Sequence, residues 1–169
     1  MRFRLTAACL VAAVALIPIR SGIAQPLADP STTAIDGTGD EAAIRAALSS
    51  YNAALNGGKT EAVLPLYTPD GIFMAPYTPS FVGQAAVRQA YDAVFKELKF
   101  DVRFDIVEVV SMAPTWAFVR TNSAGSTLHH STGKTTREAN QELFILQKGD
   151  DGRWRIARYS FSPTNPPAP

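Results

Sequence analysis

The order of hydrophobic patterns along the chain predicts an α+β fold, with helices first and an antiparallel sheet after them. Apolar residues recur every three or four positions up to Leu98, and from Phe100 onward they alternate with polar ones. Helices on one side of an antiparallel sheet are the usual result of this order. We therefore expect a cone-shaped, curved antiparallel sheet with three N-terminal helices packed on its concave face, and a cavity that these helices leave unfilled.

The first 24 residues have the pattern of an export signal peptide. Arg2 and Arg4 form a basic start, and residues 5–19 are apolar but too short and alanine-rich for a stable membrane span. Gly22 and Ala24 supply the small residues that a signal peptidase recognises. We expect a periplasmic or secreted protein, without stable membrane association once the signal is cleaved.

The rest of the chain divides by composition. Residues 25–37 predict a polar linker, residues 38–161 a single domain, and residues 162–169 a proline-rich tail with too little apolar content to pack. Cys9 is the sole cysteine, so the mature chain is expected to lack disulfides and thiol chemistry. Without the signal's three arginines, 13 of the 16 Lys and Arg residues remain against 15 Asp and Glu residues, which argues against a nucleic acid partner.

The first predicted helix starts at the capping sequence Thr38–Glu41 and ends before Gly57 and Gly58, because glycine adopts a left-handed helix end most readily. Its buried stripe consists of Ile44, Leu48, Tyr51 and Leu55.

A second, short helix is predicted between Thr60 and Tyr67, and a short strand at residues 72–75. The following loop, residues 76–81, is apolar for a loop, and we expect it to shape the mouth of a pocket. Residues 84–98 predict the third helix, with Tyr91 in its core stripe.

The second half of the domain predicts an antiparallel meander. A change of phase near Ile106 and Val107 indicates a β-bulge that bends the first long strand. The four long strands are expected at residues 100–110, 115–128, 135–148 and 153–161.

Apolar side chains lie on both sides of these strands. Phe118 shares one side with Arg120, and on the last strand Tyr159 and Phe161 share a side with Arg155. Helices can cover one side and a second copy the other, so we expect a homodimer; an exposed aromatic-rich face is the alternative.

Several segments in this order resemble the SnoaL-like members of the nuclear transport factor 2-like superfamily, most closely the SgcJ/EcaC-type bacterial proteins. The resemblance covers residues 41–161 and implies a cystatin-like α+β roll that forms a homodimer through its sheet. It implies no single reaction, since such proteins include isomerases, dehydratases, epoxide hydrolases, polyketide cyclases and non-catalytic modules. The segments are YNAALNGG, YTPDGIFM, TWAFVRTNSAG, ANQELFIL and GRWRIARYSF.

The resemblance to ketosteroid isomerase bears on the catalytic residues. Tyr51, before AALNGG, stands where that enzyme has its oxyanion-binding tyrosine. The position of the isomerase's general base falls on Ala75, which cannot take a proton. The second oxyanion donor falls near residues 140–142. Steroid isomerisation is therefore not expected.

Glu142 is the carboxylate that we rank first for catalysis. It lies in a strand too apolar to be fully exposed, and apolar surroundings raise the pKa of a carboxylate so that it can act as acid or base. Arg120 on the preceding strand is placed to pair with it across the hairpin, and a purely structural Arg–Glu pair is the alternative. If the protein is an enzyme, Tyr51 and Tyr159 are the expected catalytic hydroxyls; for Tyr51, a core tyrosine bonded to a backbone carbonyl is the alternative.

His129 and His130 are neighbours that point to opposite sides, so we expect no metal site. No nucleotide- or phosphate-binding motif is present, and we expect no cofactor. The residues expected to bind the ligand are Tyr67, Met74, Tyr77, Phe81, Phe118, Arg120 and Phe161.

Together these features favour an exported protein whose apolar pocket binds a small hydrophobic molecule. If it is an enzyme, it is expected to be an acid–base lyase, isomerase or hydrolase. The alternative is a non-catalytic ligand-binding or dimerisation module.

Overall fold

The computed structural model describes residues 37–164, so the predicted signal peptide, nearly all of the predicted linker and the end of the tail lie outside the described residues. The helices are α1 (Gly37–Gly57), α2 (Thr60–Val63), which continues into a 3₁₀ turn (Leu64–Leu66), and α3 (Gly83–Glu97). The strands are β1 (Tyr67–Met74), β2 (Phe81–Val82), β3 (Leu98–Ala113), β4 (Trp116–His129), β5 (Thr135–Lys148) and β6 (Trp154–Pro163).

Within this part of the chain the strands form one six-stranded sheet in the order β2-β1-β6-β5-β4-β3. The antiparallel meander from β3 to β6 is as predicted, and the α+β class is confirmed. The predicted antiparallel sheet is confirmed for most of its strands, but β1 starts earlier than predicted and pairs with β6 in parallel, so the sheet is mixed. β6 also extends to Pro163, so two residues of the predicted tail belong to the sheet.

The bulge predicted in β3 is confirmed, since the pairing with β4 shifts between Ile106 and Glu108. Opposite Val102, the chain of β4 passes so close that a Cβ at Gly125 would lie 2.1 Å from the carbonyl oxygen of Asp101. Only glycine fits at this close approach of the two strands.

A second bulge, in β6, changes which side chains share a face. Ile145 pairs with Arg158 and Leu146 with Ile156, so Ala157 is the extra residue. Trp154 and Ile156 are therefore buried on the same face as Tyr159, and the predicted grouping of Arg155 with Tyr159 was wrong. A single extra residue reverses the alternation beyond it.

The core lies between α1, α3 and one face of the sheet, which we call the inner face. Ala117, Val119, Phe144 and Leu146 are fully buried there. They pack with the stripe of α1 in one hydrophobic cluster. Burial of each large apolar side chain stabilises the fold by roughly 1.5–3 kcal/mol.

Two asparagines fix α1 over the edge strand β3. Asn56 donates to the carbonyl oxygen of Val102 at 2.8 Å and accepts from its amide at 3.0 Å, and Asn52 donates to the same oxygen at 2.8 Å. These bonds occupy backbone groups that an edge strand leaves without a neighbouring strand. They also hold Tyr51, next to Asn52, above the inner face. None of the helices described is long and apolar enough to span a membrane.

Candidate functional site

A cavity of about 180 Å³ lies between α1, α3 and the inner face. Its walls are mainly aromatic and aliphatic, and its polar groups come from α1, α3, β4, β5 and β6. The lining residues are Tyr51, Leu55, Phe73, Ala75, Tyr91, Val94, Leu98, Phe100, Val102, Phe104, Ser123, Glu138, Asn140, Glu142, Tyr159 and Phe161.

Buried tyrosines form one end of the site. The hydroxyl oxygens of Tyr51 and Tyr91 are 2.6 Å apart, and those of Tyr67 and Tyr91 are 2.9 Å apart, so Tyr91 joins the other two. Burial raises the pKa of Tyr51, Tyr67 and Tyr91 well above the usual value of a phenol. The three hydroxyls therefore stay protonated. Tyr51 and Tyr91 line the cavity, so one of these two hydroxyls can donate to a substrate oxygen.

Glu142 supplies a buried carboxylate on the sheet side of the cavity, with only 5 % of its surface exposed. The hydroxyl of Thr121 donates a hydrogen bond to Oε2 of Glu142, and the hydroxyl of Ser123 donates one to Oε1. Burial raises the pKa of Glu142, and the two hydrogen bonds lower it by less. A carboxyl group whose pKa is raised in this way can act as an acid or a base.

The alternation of β5 places Glu142 on the inner face. Asn140, Glu142 and Phe144 point inward at every second residue, and Gln141 and Leu143 point outward. The register pairs Thr121 with Glu142 and Ser123 with Asn140, so both hydroxyls of β4 reach the carboxylate.

The three predicted catalytic residues lie around the same cavity. Tyr51 and Tyr159 have ring centroids 5.5 Å apart, and the ring of Tyr159 stacks on Phe144 at 4.2 Å. Phe161, a predicted ligand-binding residue, pairs with Glu142 in the register of β5 and β6 and lines the cavity.

Arg120 does not meet Glu142. Arg120 pairs with Leu143 in the sheet register and lies on the outer face, where its guanidinium donates to Glu108 of β3. Both expectations for an Arg120–Glu142 pair, catalytic or structural, were wrong, because the register sets Thr121 opposite the carboxylate. Phe118, two residues earlier, also lies on the outer face and not in the cavity.

The other predicted ligand-binding residues lie outside the cavity walls. Tyr67 is buried in the core, where its ring packs against Tyr51 and its hydroxyl bonds to Tyr91. Met74 follows Phe73 in β1 and takes the opposite side, so Phe73 lines the cavity instead. The ring of Phe81 stacks on Phe73, with centroids 6.0 Å apart.

Tyr77 is fully exposed at the tip of the loop after β1. Its backbone φ of 63° lies in the left-handed region, which non-glycine residues rarely adopt. The hydroxyl of Thr78 donates to the carbonyl oxygen of Ala75 at 3.1 Å and tightens this turn. Ala75 itself lines the cavity, so the apolar residue at the position of the isomerase's base faces the site.

Sequence reasoning missed Tyr91, Ser123 and Thr121 as site residues, and it included Asn140 only through the resemblance that pointed to residues 140–142. Tyr91 was assigned to the apolar stripe of α3, yet a buried tyrosine hydroxyl needs a partner, and this signal was present in the sequence. Thr121 and Ser123 required the register of β4 on β5, which the sequence does not specify. In the described part of the chain, no group of three His, Cys, Asp or Glu side chains lies close enough together to hold a metal ion.

The sequence pattern of the SnoaL-like domain matches residues 48–157, which cover the cavity and most of its walls. The chain belongs to the SnoaL-like family. A ketosteroid isomerase-like protein from Erwinia carotovora atroseptica is 40% identical to this SnoaL-like protein, with a TM-score of 0.71 over 74% of this chain and 96% of the other.

More distant structures share the fold of this SnoaL-like protein. A nuclear transport factor 2-like protein with a cystatin-like fold from Novosphingobium aromaticivorans is 17% identical, with a TM-score of 0.59 over 78% of this chain and 86% of the other. A hexachlorocyclohexane dehydrochlorinase from Novosphingobium barchaimii is 10% identical, with a TM-score of 0.69 over 77% and 90%. These similarities confirm the cystatin-like α+β roll. No curated protein sequence matches the chain.

Proposed function

We propose that this SnoaL-like protein binds a small, mostly hydrophobic molecule in the cavity and transforms it by acid–base chemistry. The observation that carries the proposal is the buried Glu142 carboxylate, which faces the same apolar cavity as the tyrosine hydroxyls. A carboxylate in this setting is costly to bury, and its pKa is raised toward the range useful for proton transfer. The 40% identity to a ketosteroid isomerase-like protein supports a reaction of this class.

In the proposed reaction Glu142 takes a proton from a carbon next to a carbonyl group. The electron pair of the broken C–H bond moves to the carbonyl oxygen, where the Tyr51 hydroxyl stabilises the negative charge by donating a hydrogen bond. Tyr91 bonds to Tyr51 and fixes its position. Return of the proton to another carbon gives an isomer, and departure of a group from the neighbouring carbon gives an alkene.

Tyr159 is proposed as the second hydroxyl of the site. It lies on the strand next to Glu142, and burial raises its pKa well above the usual value, so it remains a hydrogen-bond donor. With Phe161 it also excludes water from the carboxylate, which strengthens electrostatic interactions inside the cavity.

Substitution of the proposed base tests this function. Glu142→Gln keeps the shape and removes the proton acceptor, so turnover of a carbonyl substrate identified by screening should fall about 100-fold or more. Glu108→Gln makes the same chemical change on the outer face and should leave turnover unchanged. Unchanged turnover in Glu142→Gln would contradict the proposal.

A non-catalytic ligand-binding module is the second candidate function. Ala75 favours it, because an apolar side chain lines the cavity at the position that matches the general base of the resembled isomerase. In that case Glu142→Gln would keep ligand affinity, and no substrate would be turned over by the wild type at any pH.

We also propose a homodimer that forms through the outer face of the sheet, as in SgcJ/EcaC-type proteins. Val110, Phe118 and Ile145 are register partners on three adjacent strands of that face, and the neighbouring Leu143 is 42% exposed. An apolar area of this kind is typical of a surface that meets a second copy. Sedimentation equilibrium should give twice the monomer mass for the wild type and the monomer mass for Leu143→Glu; a monomeric wild type at high concentration contradicts the dimer.

Export is proposed for residues 1–24, followed by a linker and by the domain at residues 38–161. The basic start and short apolar run support cleavage near Ala24 and a periplasmic or secreted mature chain. Intact mass of the protein from the periplasmic fraction of a host cell should correspond to a chain starting near Gln25. A full-length chain confined to the cytoplasm would contradict export.

A further inference from the structure

The charged side chains that line the cavity are all of one sign. They are Glu138 and Glu142 of β5, and no Lys, Arg or His among the described residues lines the cavity. The proposed reaction uses Glu142 as the base and gives no role to Glu138. A cavity with low-dielectric walls and charges of one sign concentrates ligands of the opposite sign.

Neither carboxylate belongs to an ion pair within residues 37–164. Glu142 accepts from two hydroxyls, as described above, and Glu138 accepts from the hydroxyl of Thr136 at 3.2 Å. The ring Nε2 of His129 lies 3.0 Å from this same hydroxyl oxygen and does not pair with the carboxylate. An anionic group beside an apolar cavity is costly without a counterion, and a cationic ligand recovers part of that cost.

Glu138 is the carboxylate that a ligand can reach. Its side chain lines the cavity and is only half-buried, whereas Glu142 lies four residues further along β5 and is almost completely buried. The register partner of Glu138 on β4 is Gly125, which has no side chain, and the partner of Gly125 on β3 is Val102. No side chain of β4 therefore stands between Glu138 and the apolar wall formed by β3.

That apolar wall and the cavity volume set the size of the ligand. Phe100 and Phe104 lie two residues to either side of Val102 on β3, and both line the cavity. The volume is about 180 Å³, and an apolar protein cavity of roughly 150 Å³ holds one benzene molecule. Aromatic faces also attract cations. The space suits one ring with a short arm that ends in a positive charge.

We propose that the cavity selects small apolar amines, with the ring among the aromatic side chains and the ammonium group on the Glu138 carboxylate. This inference names the ligand class of the proposed acid–base site and so rests on that function: the substrate is an amine that also carries the carbonyl group. Glu138 is then a residue that determines specificity, since it favours cations over neutral molecules and excludes anions.

Benzylamine, benzyl alcohol and benzoate are suitable probes, because they carry a cationic, a neutral and an anionic group on the same ring. Isothermal titration of the purified protein should give a dissociation constant for benzylamine roughly tenfold lower than for benzyl alcohol, with benzoate the weakest. Methylammonium keeps the charge without the ring and should bind at least about tenfold more weakly than benzylamine. This series on the wild type tests the inference without any variant.

Substitution of Glu138 then tests its role. In Glu138→Gln, benzylamine should bind no more tightly than benzyl alcohol, because the charge is lost and the shape is kept. Glu97→Gln is the matched control: Glu97 accepts from the hydroxyl of Ser131 and does not line the cavity, so the preference for benzylamine should remain. Glu138→Lys reverses the charge and should bind benzoate more tightly than benzylamine.

Several results would overturn the inference. They are a preference for benzylamine that survives in Glu138→Gln or Glu138→Lys, and a wild type that binds benzoate as tightly as benzylamine or binds no probe. Methylammonium that binds as tightly as benzylamine would place the amine on the surface and not in the cavity, which also overturns it.

Glu142→Gln distinguishes this inference from the proposed function. If Glu138 holds the ammonium group, Glu142→Gln keeps the preference for benzylamine even where turnover is lost. A preference lost in Glu142→Gln and kept in Glu138→Gln overturns the role of Glu138. Unchanged turnover in Glu142→Gln contradicts the acid–base function alone.

Discussion

The inner and outer faces of the sheet each hold a carboxylate, Glu142 of β5 on the inner face and Glu108 of β3 on the outer face, and the two settings are opposite. On the inner face Glu142 is buried and accepts from two neutral hydroxyls, and burial raises its pKa. On the outer face Glu108 accepts from Arg120, and about half of each side chain is exposed. Water and salt screen the outer pair, whereas the cavity leaves Glu142 with fixed partners and little solvent. The inner carboxylate is thus the one that we propose for proton transfer, while the outer one joins two strands.

The largest expected difference concerns packing. Phe144 is fully buried on the inner face, and Phe118 is partly buried on the outer face. Phe144→Ala should lower the free energy of unfolding by about 3–5 kcal/mol, because it leaves a cavity under α1. Phe118→Ala is the matched control and should cost clearly less. Equal losses in urea denaturation would show that the outer face is covered as completely as the core.

Removal of a tyrosine hydroxyl should affect turnover at the buried Tyr51 and not at the exposed Tyr77, and this effect should be somewhat smaller in free energy than the packing effect. Tyr51→Phe removes the proposed oxyanion donor, and turnover should fall about 100-fold. Tyr77→Phe removes a hydroxyl at a fully exposed position and should have no effect on turnover. A loss of affinity without a loss of turnover in Tyr51→Phe would indicate a binding role instead of a catalytic one.

The dependence of stability on pH should change when Glu142 is replaced. The pKa of folded Glu142 lies above the ordinary 4.5, so the folded state binds more protons than the unfolded state between 4.5 and the raised value. This group therefore destabilises the fold as pH rises through that window, while activity rises as the base ionises. Glu142→Gln should remove the stability change from thermal melts taken across this pH range, and Glu108→Gln should not. Parallel pH curves for wild type and Glu142→Gln would contradict the raised pKa.

The smallest effect is expected for the outer ion pair. A double-mutant cycle of Arg120→Ala and Glu108→Ala should give a coupling free energy of at most about 1 kcal/mol, and less at high salt, because water reaches about half of each side chain. A larger, salt-insensitive coupling would mean that a second copy covers this face in solution.

Much of the fold follows from local pattern. The alternation after Phe100 predicted the four long strands, and the change of phase at Ile106 predicted the bulge that the pairing contains. The parallel pairing of β1 with β6 was not predictable in this way, because it joins residues such as Phe73 and Tyr159 that are far apart in the chain. The bulge at Ala157 also escaped prediction, since both faces of β6 carry apolar residues.

The sequence by itself predicted that Glu142 is not fully exposed, because the strand that holds it continues into the apolar residues 143–146. It also determined that Tyr51 faces the core, because Tyr51 shares a helical stripe with the apolar Leu48 and Leu55, and this spacing can be read from nearby residues alone. Only the tertiary structure decided that Thr121 and Ser123, and not Arg120, hold the carboxylate. Tertiary packing likewise decided that Tyr51 meets Tyr91, 40 residues later. Register and helix docking depend on the whole core at once, and a shift of one residue would exchange every side chain between the two faces.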